Sequence, residues 1–260
     1  MAEIKHFDSD GIAIAYIDEP PPSDVPSRQD LPILLIHGFA SNITMNWIAP
    51  SWVETLRKAG YRVIAFDNRG HGQSAKLHDL EQYGAPLMAD DAVRLLDYLG
   101  VARANVMGYS MGARIAAFLA MKYPDRIAKL VFGGLGINMV RGMAGTGPIA
   151  HALEAPSIDD VTNPTARTFR AFAQQTKSDL KALAACIRSS RAPITAEAVG
   201  AIKSPVLVAV GEHDVIGGSA EALAALIPGA KAFVISGREH MKAVGDKAYK
   251  AAVIEFLNSD

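Results

Sequence analysis

The chain has 260 residues, 26 Lys and Arg against 27 Asp and Glu, a net charge of −1, half of its residues hydrophobic and a single cysteine, Cys186. This length suits one large α/β domain or two small ones. The balanced charge leaves no electrostatic footprint for nucleic acid or an anionic membrane, and one cysteine excludes an internal disulfide. The start, MAEIKHFDSDG, has no apolar run of signal-peptide type, and no stretch is long enough to cross a bilayer, so a cytoplasmic setting is expected.

Residues 4–7 and 12–17 are β-rich runs separated by Asp8-Ser9-Asp10-Gly11, which predicts a hairpin. The prolines of EPPPSDVPSRQD, residues 19–30, exclude a central strand or helix interior and predict an exposed loop. From Pro32 onward the apolar runs are continuous, as in strands buried on both faces: LPILLIHG, YRVIAFD, ANVMGYS, IAKLVFGG, SPVLVAVGE and AKAFVIS. Helical spacing fills the gaps. NWIAPSWVETLRKAG ends at Gly60, residues 90–99 carry Val93 and Leu96 on one face, and MGARIAAFLAMKYP stops near Pro124. AEALAALI lies between the last two strands, and VGDKAYKAAVIEFL closes the chain. Strands alternating with helices imply an α/β fold: a mostly parallel sheet covered by helices on both faces.

One stretch breaks this rhythm. GGLGINMVRGMAGTG, residues 133–147, is rich in glycine and methionine. Residues 164–190 then have helical spacing, with 176–179 reading as a capping box and Leu180, Leu183, Ala184 and Ile187 on one face. Pro193 ends that helix, and a short one follows Thr195. We read residues 137–200 as a small helical cap inserted between the two parts of a core, 1–136 and 201–260.

Gly108-Tyr109-Ser110-Met111-Gly112 sits where a buried strand becomes a helix. A serine hydroxyl is a poor nucleophile in water and needs a base, a fixed orientation and a place for negative charge to develop. The Gly-x-Ser-x-Gly spacing has the form of a nucleophile elbow, a sharp turn that lifts the serine above the strand end. Side chains two positions to either side would collide, which requires glycine at both. The turn also leaves the Met111 N–H at a helix N-terminus, where an anion is favoured.

With that motif in that setting, the chain resembles the α/β-hydrolase family over nearly its whole length. His37-Gly38-Phe39-Ala40 resembles the family's oxyanion loop, and the turn at 67–74, DNRGHGQS, resembles its DxRGxGxS turn. Gly211-Glu212-His213-Asp214 resembles the acid turn and Gly237-Arg238-Glu239-His240 the histidine loop, in the family's order of serine, acid and histidine. The resemblance implies that Ser110 attacks an acyl carbon and that His240 takes its proton and returns it to the leaving group. Asp214 would orient the imidazole, and the N–H groups of Phe39 and Met111 would form the oxyanion hole.

Each role has a rival. His6 and His78 lie in predicted surface segments, His37 and His71 in glycine turns, His151 at the cap entrance, and His213 precedes the acid. Glu212 competes with Asp214, because strand alternation puts both on one side; the family position favours Asp214. Gly217-Gly218 stands where relatives often carry a proline. Phe39, Leu135, Met139 and Met143 are candidate pocket walls, although core filling accounts for the methionines equally well. The 67–74 turn reads as structural, with Asp67 and Arg69 bonding within the loop. Arg167, Arg170, Lys177, Lys181, Arg188 and Arg191 of the cap, interspersed with Asp159, Asp160, Asp179 and Glu197, read as a solvated face. Gly133-Gly134-Leu135-Gly136 does not fit a dinucleotide fingerprint, no P-loop pattern occurs, and neither an organic cofactor nor a metal is expected.

The expected function is a serine hydrolase that cleaves small or medium uncharged carboxylic esters through an acyl-enzyme. A serine at the elbow argues against relatives of the fold with an aspartate nucleophile, such as epoxide hydrolases and haloalkane dehalogenases. A carbon–carbon bond hydrolase, a lactonase, a thioesterase, perhydrolysis, and a ligand-binding receptor with slow turnover are the alternatives.

Overall fold

Side chains that alternate along a strand must part onto opposite faces, and this alternation sorts most of the chain. The computed structural model describes residues 2–27, 31–142, 146–189 and 193–259. Its strands are β1 Lys5–Ser9, β2 Ile12–Glu19, β3 Ile33–Ile36, β4 Val63–Phe66, β5 Ala104–Tyr109, β6 Ile127–Gly133, β7 Val206–Gly211 and β8 Lys231–Ile235. They form one sheet in the order β1-β2-β4-β3-β5-β6-β7-β8. The β1–β2 and β2–β4 pairs are antiparallel and every other pair is parallel. In the hairpin Ser9 pairs with Ile12 across Asp10 and Gly11, whose φ angles of 57° and 81° suit a tight two-residue turn.

Leu34, Ile36, Ile64, Phe66, Val106 and Phe132 face one core, covered by α2 Ala85–Tyr98, α3 Met111–Lys122 and α9 Ala220–Ala224. Their neighbours Ile33, Leu35, Val63, Ala65, Met107 and Val131 face the other, covered by α1 Trp52–Lys58 and α11 Lys247–Asn258. Both faces are dry, so the central strands read as unbroken hydrophobic runs rather than alternating ones. Among the described residues no helix is long and apolar enough to cross a membrane.

The chain between β6 and β7 carries α4 Asn138–Arg141, α5 Thr146–Glu154, α6 Pro164–Gln175, α7 Leu180–Arg188 and α8 Ala196–Gly200. The helical pattern read over 164–190 is two helices. Lys177 turns left-handed at φ 53°, and Asp179 is the N-cap of α7, its carboxylate accepting the Ala182 N–H at 2.9 Å. Thr176 therefore closes α6 rather than capping α7, which itself stops at Arg188 before reaching Pro193.

Two charged residues depart from the sequence reading. Arg170 is buried, not part of a solvated face: its Nη1 donates to the carbonyls of Ala152, Leu153 and Ala155 at 2.6, 3.1 and 2.9 Å. It satisfies the orphan acceptors at the end of α5. Arg69 does not pair with Asp67. It grips Asp91 of α2 with two bonds of 2.7 Å and also donates to the Gln82 carbonyl. Asp67 does bond within the turn, accepting the Gln73 N–H, and it also accepts the Ile43 N–H from outside it, both at 2.7 Å. Helix α2 also begins at Ala85 rather than near residue 90, with Pro86 in its first turn, and Thr44–Ile48 forms a π turn ahead of α1.

Candidate active site

The position of Ser110 follows from its two flanking glycines. A Cβ on Gly108 would lie 2.1 Å from the Gly112 carbonyl oxygen, and one on Gly112 would lie 1.9 Å from that of Ile36. Strands β3 and β5 and helix α3 meet there so closely that only hydrogen fits. Between them Ser110 adopts φ 54°, ψ −115°, a strained conformation for a residue with a side chain. It is held by its N–H, which donates to Gly133 of β6 at 2.8 Å, and by its carbonyl, which accepts from Ala113 and Arg114 at 3.0 and 3.2 Å.

The structure brings Ser110, His240 and Asp214 together. The Ser110 hydroxyl lies 3.0 Å from His240 Nε2, and His240 Nδ1 lies 2.7 Å from Asp214 Oδ2. A carboxylate facing Nδ1 requires the proton there, which leaves the Nε2 lone pair for the hydroxyl. The second Asp214 oxygen is occupied, accepting the N–H groups of Ile216 and Gly217 at 3.0 and 2.8 Å. The carboxylate is thus pinned before it meets the ring. Both side chains are buried, Asp214 completely. The Tyr109 hydroxyl donates to the His240 carbonyl, anchoring the start of α10 His240–Ala243. Burial, reinforced by the Asp214 charge, lifts the Tyr109 phenol well above its ordinary range and keeps it a donor.

Glu212 does not share this role. It is exposed and accepts the Gly237 N–H at 2.7 Å and the Ser236 hydroxyl at 3.1 Å, bonds that hold its carboxyl below the usual range. The loop after Asp214 runs on glycine because it is crowded. A Cβ on Gly217 would lie 2.8 Å from the Gly134 carbonyl oxygen.

The loop carrying Phe39 is fixed from both sides. Gly38 N–H donates to Asn46 Oδ1 at 3.0 Å, and His37 Nδ1–H donates to the Gly38 carbonyl at 2.8 Å. His37 Nε2 accepts the Asn68 N–H at 2.9 Å. A Cβ on Gly38 would lie 3.4 Å from that of Ser110, so this loop borders Ser110 directly. Among the described residues, the N–H groups of Phe39 and Met111 have no protein acceptor; that of Met111 is the first in α3 and has none within the helix. Asn46 escaped the sequence reading, since it comes from a π turn with no pattern to mark it.

The rings of His37 and His71 lie with centroids 5.2 Å apart and planes tilted by 58°. Burial pushes His37 down to about 4; burial and the neighbouring His37 push His71 down to about 3. Both are neutral supports.

A cavity of about 320 Å³ opens on Ser110, walled by Phe39, Leu135, Met139, Phe169, Ile187 and Ile194. Helices α4, α6 and α7 thus contribute to the wall around the serine. Met143, a candidate wall residue, and Arg191 lie outside the described residues. Among the described residues no group of three or more His, Cys, Asp or Glu side chains is placed to hold a metal ion.

Residues 32–191 match a family model described as the alpha/beta hydrolase fold. The sequence is similar to epoxide hydrolase B of Mycobacterium tuberculosis, 36% identical over 120 residues, or 43% of this chain and 32% of that protein. It is also similar to a bifunctional esterase/perhydrolase of Acinetobacter calcoaceticus, 34% identical over 126 residues, or 47% of this chain and 41% of that protein. Both matches span less than half the length of these relatives. A solved structure of a thermophilic esterase from Thermogutta terrifontis, with malate bound, superposes with a TM-score of 0.72 at 27% identity, covering 98% of each chain.

Proposed function

This chain belongs to the alpha/beta hydrolase family, and we propose that it is a serine hydrolase cleaving small and medium uncharged carboxylic esters. Ser110 Oγ attacks the acyl carbon while His240 Nε2 takes its proton, and Asp214 stabilises the resulting imidazolium. The oxyanion meets the N–H groups of Phe39 and Met111, where one such donor is worth about 3 kcal/mol of transition-state stabilisation. The tetrahedral intermediate collapses, the ester C–O bond breaks, and the departing oxygen takes the proton from Nε2. A water activated by the same imidazole then hydrolyses the acyl-serine. The helices of residues 137–200 act as a cap that walls the pocket.

The observation supporting this most strongly is the continuous relay of bonds at 3.0 and 2.7 Å beside a cavity whose walls combine apolar side chains with Arg114, Asn138 and Arg141. Esterase activity in the names of two similar proteins agrees with it. Epoxide opening, the activity named for another relative, fits less well. Attack of a serine on an epoxide carbon would leave an ether, which water does not cleave at neutral pH, whereas an acyl-serine is an ester and turns over. The test is turnover of p-nitrophenyl butyrate by wild type and Ser110→Ala. Wild type should hydrolyse it and the variant should lose activity by at least about 10⁴-fold. Equal rates would overturn the proposal.

A further inference from the structure

Strands β6 and β7 are parallel neighbours, so the loops that leave their carboxyl ends pass side by side. One leads from β6 into α4, whose first residue is Asn138; the other, between β7 and α9, carries Asp214. The two loops are clasped by backbone bonds. Gly136 N–H and Asn138 N–H both donate to the Gly217 carbonyl, at 2.9 and 3.2 Å, and Ile137 N–H donates to the Ser219 carbonyl at 2.9 Å. A Cβ on Gly136 would lie 2.4 Å from the Ser219 carbonyl oxygen, so the approach leaves room only for hydrogen there.

One side chain joins this clasp. Asn138 Nδ2 donates to the Ile216 carbonyl at 3.0 Å. That carbonyl belongs to the same planar peptide unit as the Gly217 N–H, which donates to Asp214 Oδ1 at 2.8 Å. A bond at one end of a rigid peptide sets the direction of the group at its other end, and a donor at the oxygen polarises the N–H. The backbone bonds of the clasp act on the next peptide, at the Gly217 carbonyl, and glycine at 217 lets the one before it rotate. The bonds thus run in series, from the Asn138 amide through the 216–217 peptide to Asp214 Oδ1, and from Asp214 Oδ2 to His240 Nδ1. Turning the peptide turns the carboxylate about its Cβ–Cγ bond and carries Oδ2 away from the imidazole. Resting on the serine-hydrolase reading above, we propose that Asn138 is a positioning residue for the reaction: it orients the peptide that holds Asp214 and so sets the bond between Asp214 and His240. Asn138 also stands in the wall of the cavity that opens on Ser110, which makes a direct substrate contact the rival role. Loss of a substrate contact raises KM, whereas loss of the acid's orientation lowers kcat.

Two variants and a double-mutant cycle test this. Asn138→Leu keeps the size of the side chain and removes the donor. Asn138→Asp keeps the shape and sets an oxygen against the Ile216 carbonyl. In both, kcat for p-nitrophenyl butyrate should fall at least about tenfold, with KM within about threefold of wild type. Asp214→Ala removes the group on which Asn138 acts, so adding Asn138→Leu to it should change the residual kcat by less than about twofold. A kcat within about twofold of wild type in both single variants overturns the assignment, as does a loss carried by KM. An equal loss from Asn138→Leu with and without the Asp214 carboxylate also overturns it, since Asn138 would then act elsewhere. Each of these results leaves the serine-hydrolase reading intact if Asp214→Ala alone is impaired. An Asp214→Ala variant as active as wild type, or a wild type without activity, overturns both.

Discussion

Asp214 and Glu212 are two residues apart, yet only one carboxylate reaches the imidazole. Asp214 is buried with one oxygen held by two backbone N–H groups, so its other oxygen can face only His240. Glu212 spends its bonds on the turn at Ser236 and Gly237. Asp214→Asn should therefore lower kcat about 10⁴-fold, because an amide no longer enforces the productive tautomer. Glu212→Gln should stay within about twofold of wild type, and p-nitrophenyl ester kinetics of the pair check both. Equal losses in the two variants would contradict this division of labour. Strand alternation could not separate these residues, since β7 ends at Gly211 and the next turn, closed by the Asp214 N–H to the Gly211 carbonyl, has no two-residue period. The glycines at 108 and 112 were legible because close approach of three backbones has one solution, the loss of Cβ. Asn46 was not, since its amide acts on Gly38 across a turn whose geometry no local pattern encodes.

At the scale of elements, the regular strands and helices follow from their apolar spacing, while the 137–200 segment follows from individual side chains. The long helix expected over 164–190 breaks at Lys177 because Asp179 offers a stronger helix start than the run offers continuity. Helix α5 begins at Thr146, inside the glycine- and methionine-rich stretch 133–147, which hid its start. Arg170 reads as a surface cation by residue type, but its guanidinium finds three carbonyls at the end of α5. Arg170→Met should cost at least about 2 kcal/mol, since buried acceptors would be left unpaired. Urea unfolding measures this directly. A wild-type midpoint would show that the bonds between α5 and α6 contribute nothing to stability.

Across the whole molecule, the buried histidines couple stability to pH. Both donate Nδ1–H to a backbone carbonyl, and protonation of His37 would set N–H against the Asn68 N–H that Nε2 now accepts. Below the ordinary value of 6.5 the unfolded chain takes up protons that the folded protein refuses. Their contribution is therefore complete above pH 6.5 and is lost as pH falls toward about 4 for His37 and about 3 for His71. Each supplies a slope of up to about 1.4 kcal/mol per pH unit. Unfolding free energies at pH 4 to 7 should rise with pH, and His71→Asn should remove close to one proton from the slope. A flat profile would contradict neutral burial. The α/β layering and the parallel core were legible in the hydrophobic runs. The placement of β3 between β4 and β5 was not, because it depends on which edge the returning chain joins.

The proposed mechanism makes the hydroxyl of residue 110 a nucleophile activated by His240 and Asp214. Intact mass measurement after treatment with a fluorophosphonate, followed by peptide mapping, tests it most directly. One adduct per chain on Ser110 in the wild type, lost in Ser110→Ala and strongly slowed in His240→Ala, is the predicted result. A wild type that stays unlabelled, or an adduct on another residue, would contradict it.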